Sequence, residues 1–176
     1  QQGSAFFTVA REYFLRRVLP VAEKAGVKLS MHPDDPPITP IKGVSRIMRT
    51  VPNYQRLVEM IPSDYNTITL CQGNFTLMTD DLPKVIRGFG KKISFVHFRD
   101  VEGVPTNFHE TWHDAGKTNM LETMKAYRDI GFDGVLRPDH VPTVEGDSNE
   151  NAGYSAFGRL YAIGYIRGLH EAVYAK

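Results

Sequence analysis

The chain has 176 residues, 41% of them hydrophobic and 23% charged, with a formal net charge of +1. That is enough chain for one domain with a buried core, and the near-neutral balance offers no electrostatic handle to nucleic acid or an anionic membrane. No apolar run approaches the ~20 residues of a membrane-spanning helix, and a single cysteine excludes an internal disulfide framework and fits a reducing, cytoplasmic setting.

The sequence opens Gln1-Gln2-Gly3-Ser4 and runs at once into an amphipathic pattern, as if starting partway through a larger protein or trimmed by processing. Phe6, Val9, Tyr13, Phe14, Val18 and Val21 recur at helical spacing, with Pro20 as a kink and Gly26 as the stop. Residues 27–32 read as a strand cut off by Pro33, followed by a proline-rich loop to Gly43. Residues 51–60 read as a helix and 67–71 as a second strand. Asp80 or Asp81 caps a helix with Pro83 in its first turn, running to about Phe89.

Residues 93–98 form a third predicted strand, and a long polar loop follows. Its segment Phe108-His109-Glu110-Thr111-Trp112-His113-Asp114 suits a substrate cover and a solvated loop with one aromatic anchor equally well. Met120, Leu121, Met124, Tyr127 and Ile130 mark a helix that stops at Gly131, and residues 134–137 a fourth strand ending in Pro138-Asp139-His140. Residues 155–174 form the last helix, with Phe157, Tyr161 and Tyr165 expected in the core and Gly164 and Gly168 allowing close helix packing.

Strands alternating with helices are the order of a parallel α/β sheet. Their spacing of roughly 25–40 residues is near that of a TIM (β/α)8 barrel of ~250 residues. About four units are present, half of such a barrel; a small doubly wound sheet shares the same element order.

Each predicted strand ends in a residue able to hold a metal: His32, Cys71, His97 and Asp139. The carboxyl ends of parallel strands form the functional face of α/β folds, so residues distant in sequence converge there. Ser30 with His32, Thr69 with Cys71, and Arg137 with Asp139 form polar sets opposite Met31, Leu70 and Leu136. Two imidazoles, a thiolate and a carboxylate suit Zn²⁺, Fe²⁺, Co²⁺ or, less comfortably, Mn²⁺. The plainer alternatives are a small buried cysteine and satisfied strand-end histidines; recurrence on four successive strand ends argues against them. His140 and Tyr154 suit acid–base work. Arg99 and Arg137 each offer a carboxylate-gripping fork, or pair with Asp34, Asp35 or Asp100.

Together these motifs resemble mannonate dehydratases. The resemblance is carried by His32-Pro33-Asp34-Asp35-Pro36-Pro37, Thr69-Leu70-Cys71-Gln72-Gly73, His97-Phe98-Arg99, His109-Glu110-Thr111, Gly131-Phe132-Asp133-Gly134, Arg137-Pro138-Asp139-His140 and Gly153-Tyr154. It implies a xylose-isomerase-like TIM barrel with residues 1–176 as its C-terminal half, and loss of water from D-mannonate to give 2-keto-3-deoxy-D-gluconate. It further implies Mn²⁺ or Fe²⁺ on His32, Cys71, His97 and Asp139, with His140 and Tyr154 at the acid–base positions. Arg137 falls at a substrate-contacting position, and Arg99 and His113 are counted with it as candidate contacts. The expected partners are a small sugar acid and either further copies of the chain or a missing N-terminal half. A metal-dependent isomerase or epimerase on the same barrel, and a non-catalytic half-barrel pairing through its sheet edges, are the competing readings. Residues 141–147 depart from the family's usual continuation, so a different pocket wall is expected there and the exact sugar acid is left open.

Overall fold

Alternating apolar and polar residues, with one extra residue in the third segment, give each of four short segments a face to bury, and the segments pair side by side in parallel. They are β1 (Leu29–Met31), β2 (Asn66–Cys71), β3 (Ile93–Phe98) and β6 (Val135–Pro138), in the order β1-β2-β3-β6. Two further strands, β4 (Val101–Val104) and β5 (Asn107–Glu110), form a separate antiparallel hairpin. The helices are α1 (Gln2–Ala25), α2 (Val51–Met60), α3 (Gln72–Met78), α4 (Leu82–Phe89), α5 (Met120–Asp129) and α6 (Ala156–Tyr174). This computed structural model describes residues 2–148 and 150–175, with side chains from residue 11 onward. No described helix is long and apolar enough to cross a membrane.

Parallel pairing brings the carboxyl ends of neighbouring strands level. Met31 lies opposite Ile68, Cys71 opposite His97, and His97 opposite Arg137. On β2, Ile68 and Leu70 enter the helix-side core while Thr67, Thr69 and Cys71 take the other face. That second face carries a hydroxyl network. Ser30 Oγ is 2.8 Å from Thr69 Oγ1 and 2.9 Å from Ser94 Oγ, which in turn lies 2.7 Å from Thr67 Oγ1. Strict alternation would bury Ser94 with Val96. Instead Ile68 pairs with Ile93 and Thr69 with Phe95, leaving Ser94 as an extra residue in β3. The bulge resets the phase, so Ile93, Val96 and Phe98 all reach the core and His97 stays on the polar face.

The helix-side core is dense in aromatics: Tyr54 of α2, Phe75 of α3 and Phe89 of α4 meet at ring separations of 4.9–6.5 Å. Met120, Met124 and Tyr127 of α5 complete it. Predicted helix ends hold closely. Asp81 caps α4 by accepting from Lys84 N, and Gly26 and Gly131 follow α1 and the last turn of α5 at φ of +68° and +62°.

Four expectations are corrected. Phe6 and Val9 lie outside the described side chains, and the rest of the predicted α1 stripe is mostly turned away. Tyr13, Phe14 and Val21 are exposed and Val18 is half-buried, while Leu15, Leu19 and Ala22 are buried instead. Phe157 and Tyr161 of α6 are exposed rather than core, and Gly164 and Gly168 have nothing within 4 Å of where a Cβ would stand, because no described element covers that face. The long loop after β3 folds back as the β4–β5 hairpin. Helix α3 follows β2 without a break where no element was expected.

Asp100 anchors that hairpin. Fully buried, it accepts from Val101 N at 2.9 Å and from Thr118 N at 3.1 Å. Burial pushes its carboxyl from 3.8 up to about 6. A folded-state value above the unfolded one means that the folded chain binds this proton more tightly. The stability this group supplies is therefore present below about pH 4 and lost as the pH rises through about 6. Urea unfolding of wild type and Asp100→Asn across that range should show this fall in the wild type only.

Candidate active site

His32 leaves β1 just before Pro33, and its Nδ1 sits 2.8 Å from the Pro33 carbonyl. A carbonyl only accepts, so Nδ1 carries the proton and Nε2 of the neutral ring keeps a lone pair. That lone pair points at His97 Nδ1, 3.2 Å away. Cys71, at the end of β2, brings its buried thiol to the same place. One donor atom from each of His32, Cys71 and His97 lies within 4.8 Å of the others. Asp139, the fourth strand-end residue, stands beside them with Oδ2 3.6 Å from His97 Nδ1 and 3.9 Å from Cys71 Sγ. It is turned toward two arginines: Arg137 Nη2 meets Oδ1 at 3.0 Å and Arg99 Nε lies 3.4 Å from Oδ2. Two imidazoles and a thiolate, one imidazole with its lone pair already oriented, fit a divalent transition metal.

Arg99 is the largest fully buried side chain, 1% exposed. Its Nε lies 3.3 Å from Cys71 Sγ, Nη2 is 2.7 Å from Asp35 Oδ2, and Nη1 pairs with Glu110 Oε1 and lies 2.6 Å from His140 Nδ1. Asn74, with its amide donating to Asp35 at 3.1 Å, also accepts from Arg99 Nη2 at 3.2 Å. Burial alone would depress the guanidinium, but Cys71, Glu110 and Asp35 outweigh it and hold the group above its ordinary value. Gly73 makes room for this cation: a Cβ there would stand 2.7 Å from Arg99 Nε. The neighbouring Asp34 fixes the loop itself, accepting from Arg46 Nε at 3.0 Å and Met48 N at 2.7 Å.

A second chain of contacts leads outward. His140 Nδ1 lies 2.9 Å from Glu110 Oε1, and Nε2 lies 3.0 Å from the Tyr154 hydroxyl. The two rings meet edge to face at 5.1 Å, and the Arg159 guanidinium covers the other part of the tyrosine ring at 4.8 Å. Tyr154 remains 39% exposed, so this pair faces the open side of the cluster.

The three expected substrate contacts separate here. Arg137 is partly exposed beside Asp139. Arg99 is sealed, with every nitrogen engaged, which suits holding the site together rather than gripping a ligand. His113 is fully buried, and its Nε2 donates to the Phe98 carbonyl at 2.7 Å. Burial pushes its pKa down, leaving a neutral ring packed under β3 with no route to a substrate. Asp35, Glu110 and Arg159 also belong to the site. Asp35 is one of the carboxylates expected to pair with an arginine, and it does so with Arg99, while Glu110 stands in the divided polar segment and in the His109-Glu110-Thr111 motif. Arg159 carries no signal as a site residue.

A family model described as D-mannonate dehydratase (UxuA) matches residues 4–176. The mannonate dehydratase of Enterococcus faecalis is 42% identical over 168 residues, covering 93% of this chain and 46% of that protein. The chain belongs to the mannonate dehydratase family. The Thermotoga maritima mannonate dehydratase is 40% identical over 167 residues, with 92% and 46% covered. Among solved structures, mannonate dehydratase from Streptococcus suis serotype 2 superposes with a TM-score of 0.86 at 36% identity, over 92% of this chain and 48% of that one. A D-tagatose 3-epimerase-like protein follows at a TM-score of 0.67 and 17% identity, over 92% of this chain and 54% of that one. That likeness concerns the fold alone: an α/β parallel sheet of the kind seen in xylose-isomerase-like TIM-barrel proteins. The chain spans about half the length of the mannonate dehydratases it matches.

Removing the buried cation should be costly. Arg99→Met leaves Asp35, Glu110 and Asp139 without their shared partner, and a loss of about 3–5 kcal/mol in unfolding free energy is expected. Urea denaturation read by circular dichroism measures it.

Proposed function

We propose that this chain carries the metal centre and proton-transfer pair of an enzyme that dehydrates D-mannonate to 2-keto-3-deoxy-D-gluconate. The observation that carries the reading is the convergence of His32, Cys71 and His97 beside Asp139, with the His140–Tyr154 pair on the open side of the same strand ends. Membership of the family and the match to its members along 92–93% of the chain support it.

Elimination of water needs a proton removed from the carbon beside the carboxylate and another delivered to the departing hydroxyl. His140 and Tyr154 share these roles, a hydrogen bond apart. Arg137, partly exposed at the rim, is the cation available to hold the substrate carboxylate. His32, Cys71, His97 and Asp139 would hold Mn²⁺ or Fe²⁺, which when bound supplies Lewis-acid stabilisation of negative charge growing on the substrate carboxylate. Arg99 stands behind Cys71 and Asp139, with Nε 3.3 Å from Sγ and 3.4 Å from Oδ2.

The four parallel strands correspond to half of an eight-stranded barrel, with residues 1–176 as its C-terminal half. Among the described residues β1 and β6 each have one neighbour, leaving two sheet edges for the remaining strands. The partner we infer is an N-terminal half-barrel, with assembly into an oligomer beyond it. A reducing cytoplasm suits the buried free thiol of Cys71.

Incubated with Mn²⁺ and D-mannonate, the protein should release a 2-keto-3-deoxy acid, detected as its chromogenic adduct. His140→Asn should lower turnover at least ~100-fold while leaving metal affinity unchanged. A ketose or an epimer as product, or full turnover in the variant, contradicts the proposal.

A further inference from the structure

Tyr154 stands on the loop between β6 and α6, and the backbone around it is tied down. Val141 N donates to Gly153 O at 2.9 Å, and Tyr154 N donates to Asn151 O at 3.0 Å. Gly158 lets the first turn of α6 close on this loop, since a Cβ there would stand 2.6 Å from Val141 Cγ2. The side chain is less constrained. It is 39% exposed, and its hydroxyl meets His140 Nε2 at 3.0 Å. A half-open ring on a loop can turn to another rotamer, carrying the hydroxyl away, unless its face is held.

Arg159, one turn into α6, lies against that face, with its guanidinium carbon 4.8 Å from the ring centre. Nothing else accounts for a cation there. Arg99 and Arg137 each pair with a carboxylate, whereas among the described residues Arg159 pairs with none. The first turn of α6 has no acidic residue, and a cation near the free N–H groups of a helix start gains nothing from the helix dipole. Nε of Arg159 is buried without a partner, so the group is wedged in place rather than free to sweep the surface.

We infer that Arg159 is a positioning residue for Tyr154: its guanidinium, laid on the ring, holds the phenol hydroxyl at His140 Nε2. A planar, permanently charged and weakly hydrated group suits this task, because it is attracted by the ring face without needing an acceptor for every N–H. An aliphatic side chain of similar length fills the space but lacks that attraction.

The inference rests on reading His140 and Tyr154 as the proton-transfer pair, but its first test needs neither metal nor substrate. In the metal-free chain, nuclear Overhauser contacts between the two rings report the geometry. The rings are assigned as the signals lost in Tyr154→Leu and His140→Asn. Arg159→Met should weaken these contacts about fivefold relative to those between Tyr54 and Phe75 in the core. Undiminished contacts in a folded Arg159→Met chain overturn the inference. The wild type can overturn it without that variant. Its Arg159 Nε proton should be shielded by the ring and lie upfield of its position in Tyr154→Leu, and equal positions mean that the guanidinium does not cover the ring. With D-mannonate, Arg159→Met should lower kcat about fivefold at unchanged KM, whereas a raised KM at unchanged kcat marks an arginine that grips substrate and contradicts the positioning role. Failure of the dehydratase reading would appear as a missing product in the wild type and would leave the ring contacts to decide.

Discussion

A buried guanidinium must be surrounded by enough negative charge and acceptors to replace the water it gave up, and the organisation of this site follows from that requirement. Arg99 meets it with Asp35 from the loop after β1, Cys71 from the end of β2, Glu110 from the hairpin and Asp139 from the end of β6. Each of those groups reaches the cation only if its own backbone is correctly placed. The cation therefore ties together the ends of segments separated by up to about a hundred residues of chain, and Gly73 leaves the space in which it sits.

Both parts of the proposed site share this anchor. Nε of Arg99 backs Cys71 and Asp139 of the proposed metal cluster, while Nη1 backs the proposed His140–Tyr154 pair through Glu110 and His140. A displacement of the guanidinium would reach both parts together. The distances between groups that must cooperate are thereby set by one rigid fork rather than by independent loops.

The strands and most helix ends were legible because they rest on local chemistry: period-two burial, an Asp or Asn cap, a glycine at positive φ. The same locality explains the failures. Helix α3 is buried all round, with Gln72, Asn74 and Thr76 enclosed alongside Phe75 and Leu77, so it shows no amphipathic stripe to read. The apolar positions of α1 and α6 were visible, but periodicity reports that a face is apolar and says nothing of what lies against it. Exposed Phe157 and Leu160 make the point. Alternation supported three of the four strand-end ligands and was silent on His97, because the extra residue Ser94 breaks the phase of β3. The convergence of His32, Cys71 and His97 was legible from strand ends. The role of Arg99 was not, since a strand-end arginine looks the same whether it faces substrate or is sealed behind the site.

The most direct test of the site is X-ray absorption at the metal edge of the Mn²⁺- or Fe²⁺-loaded protein. Imidazole nitrogens from His32 and His97 together with one sulfur from Cys71 are expected around the ion, and the sulfur should vanish in Cys71→Ser. A shell of oxygen and nitrogen alone in the wild type would contradict a metal centre built on these strand ends.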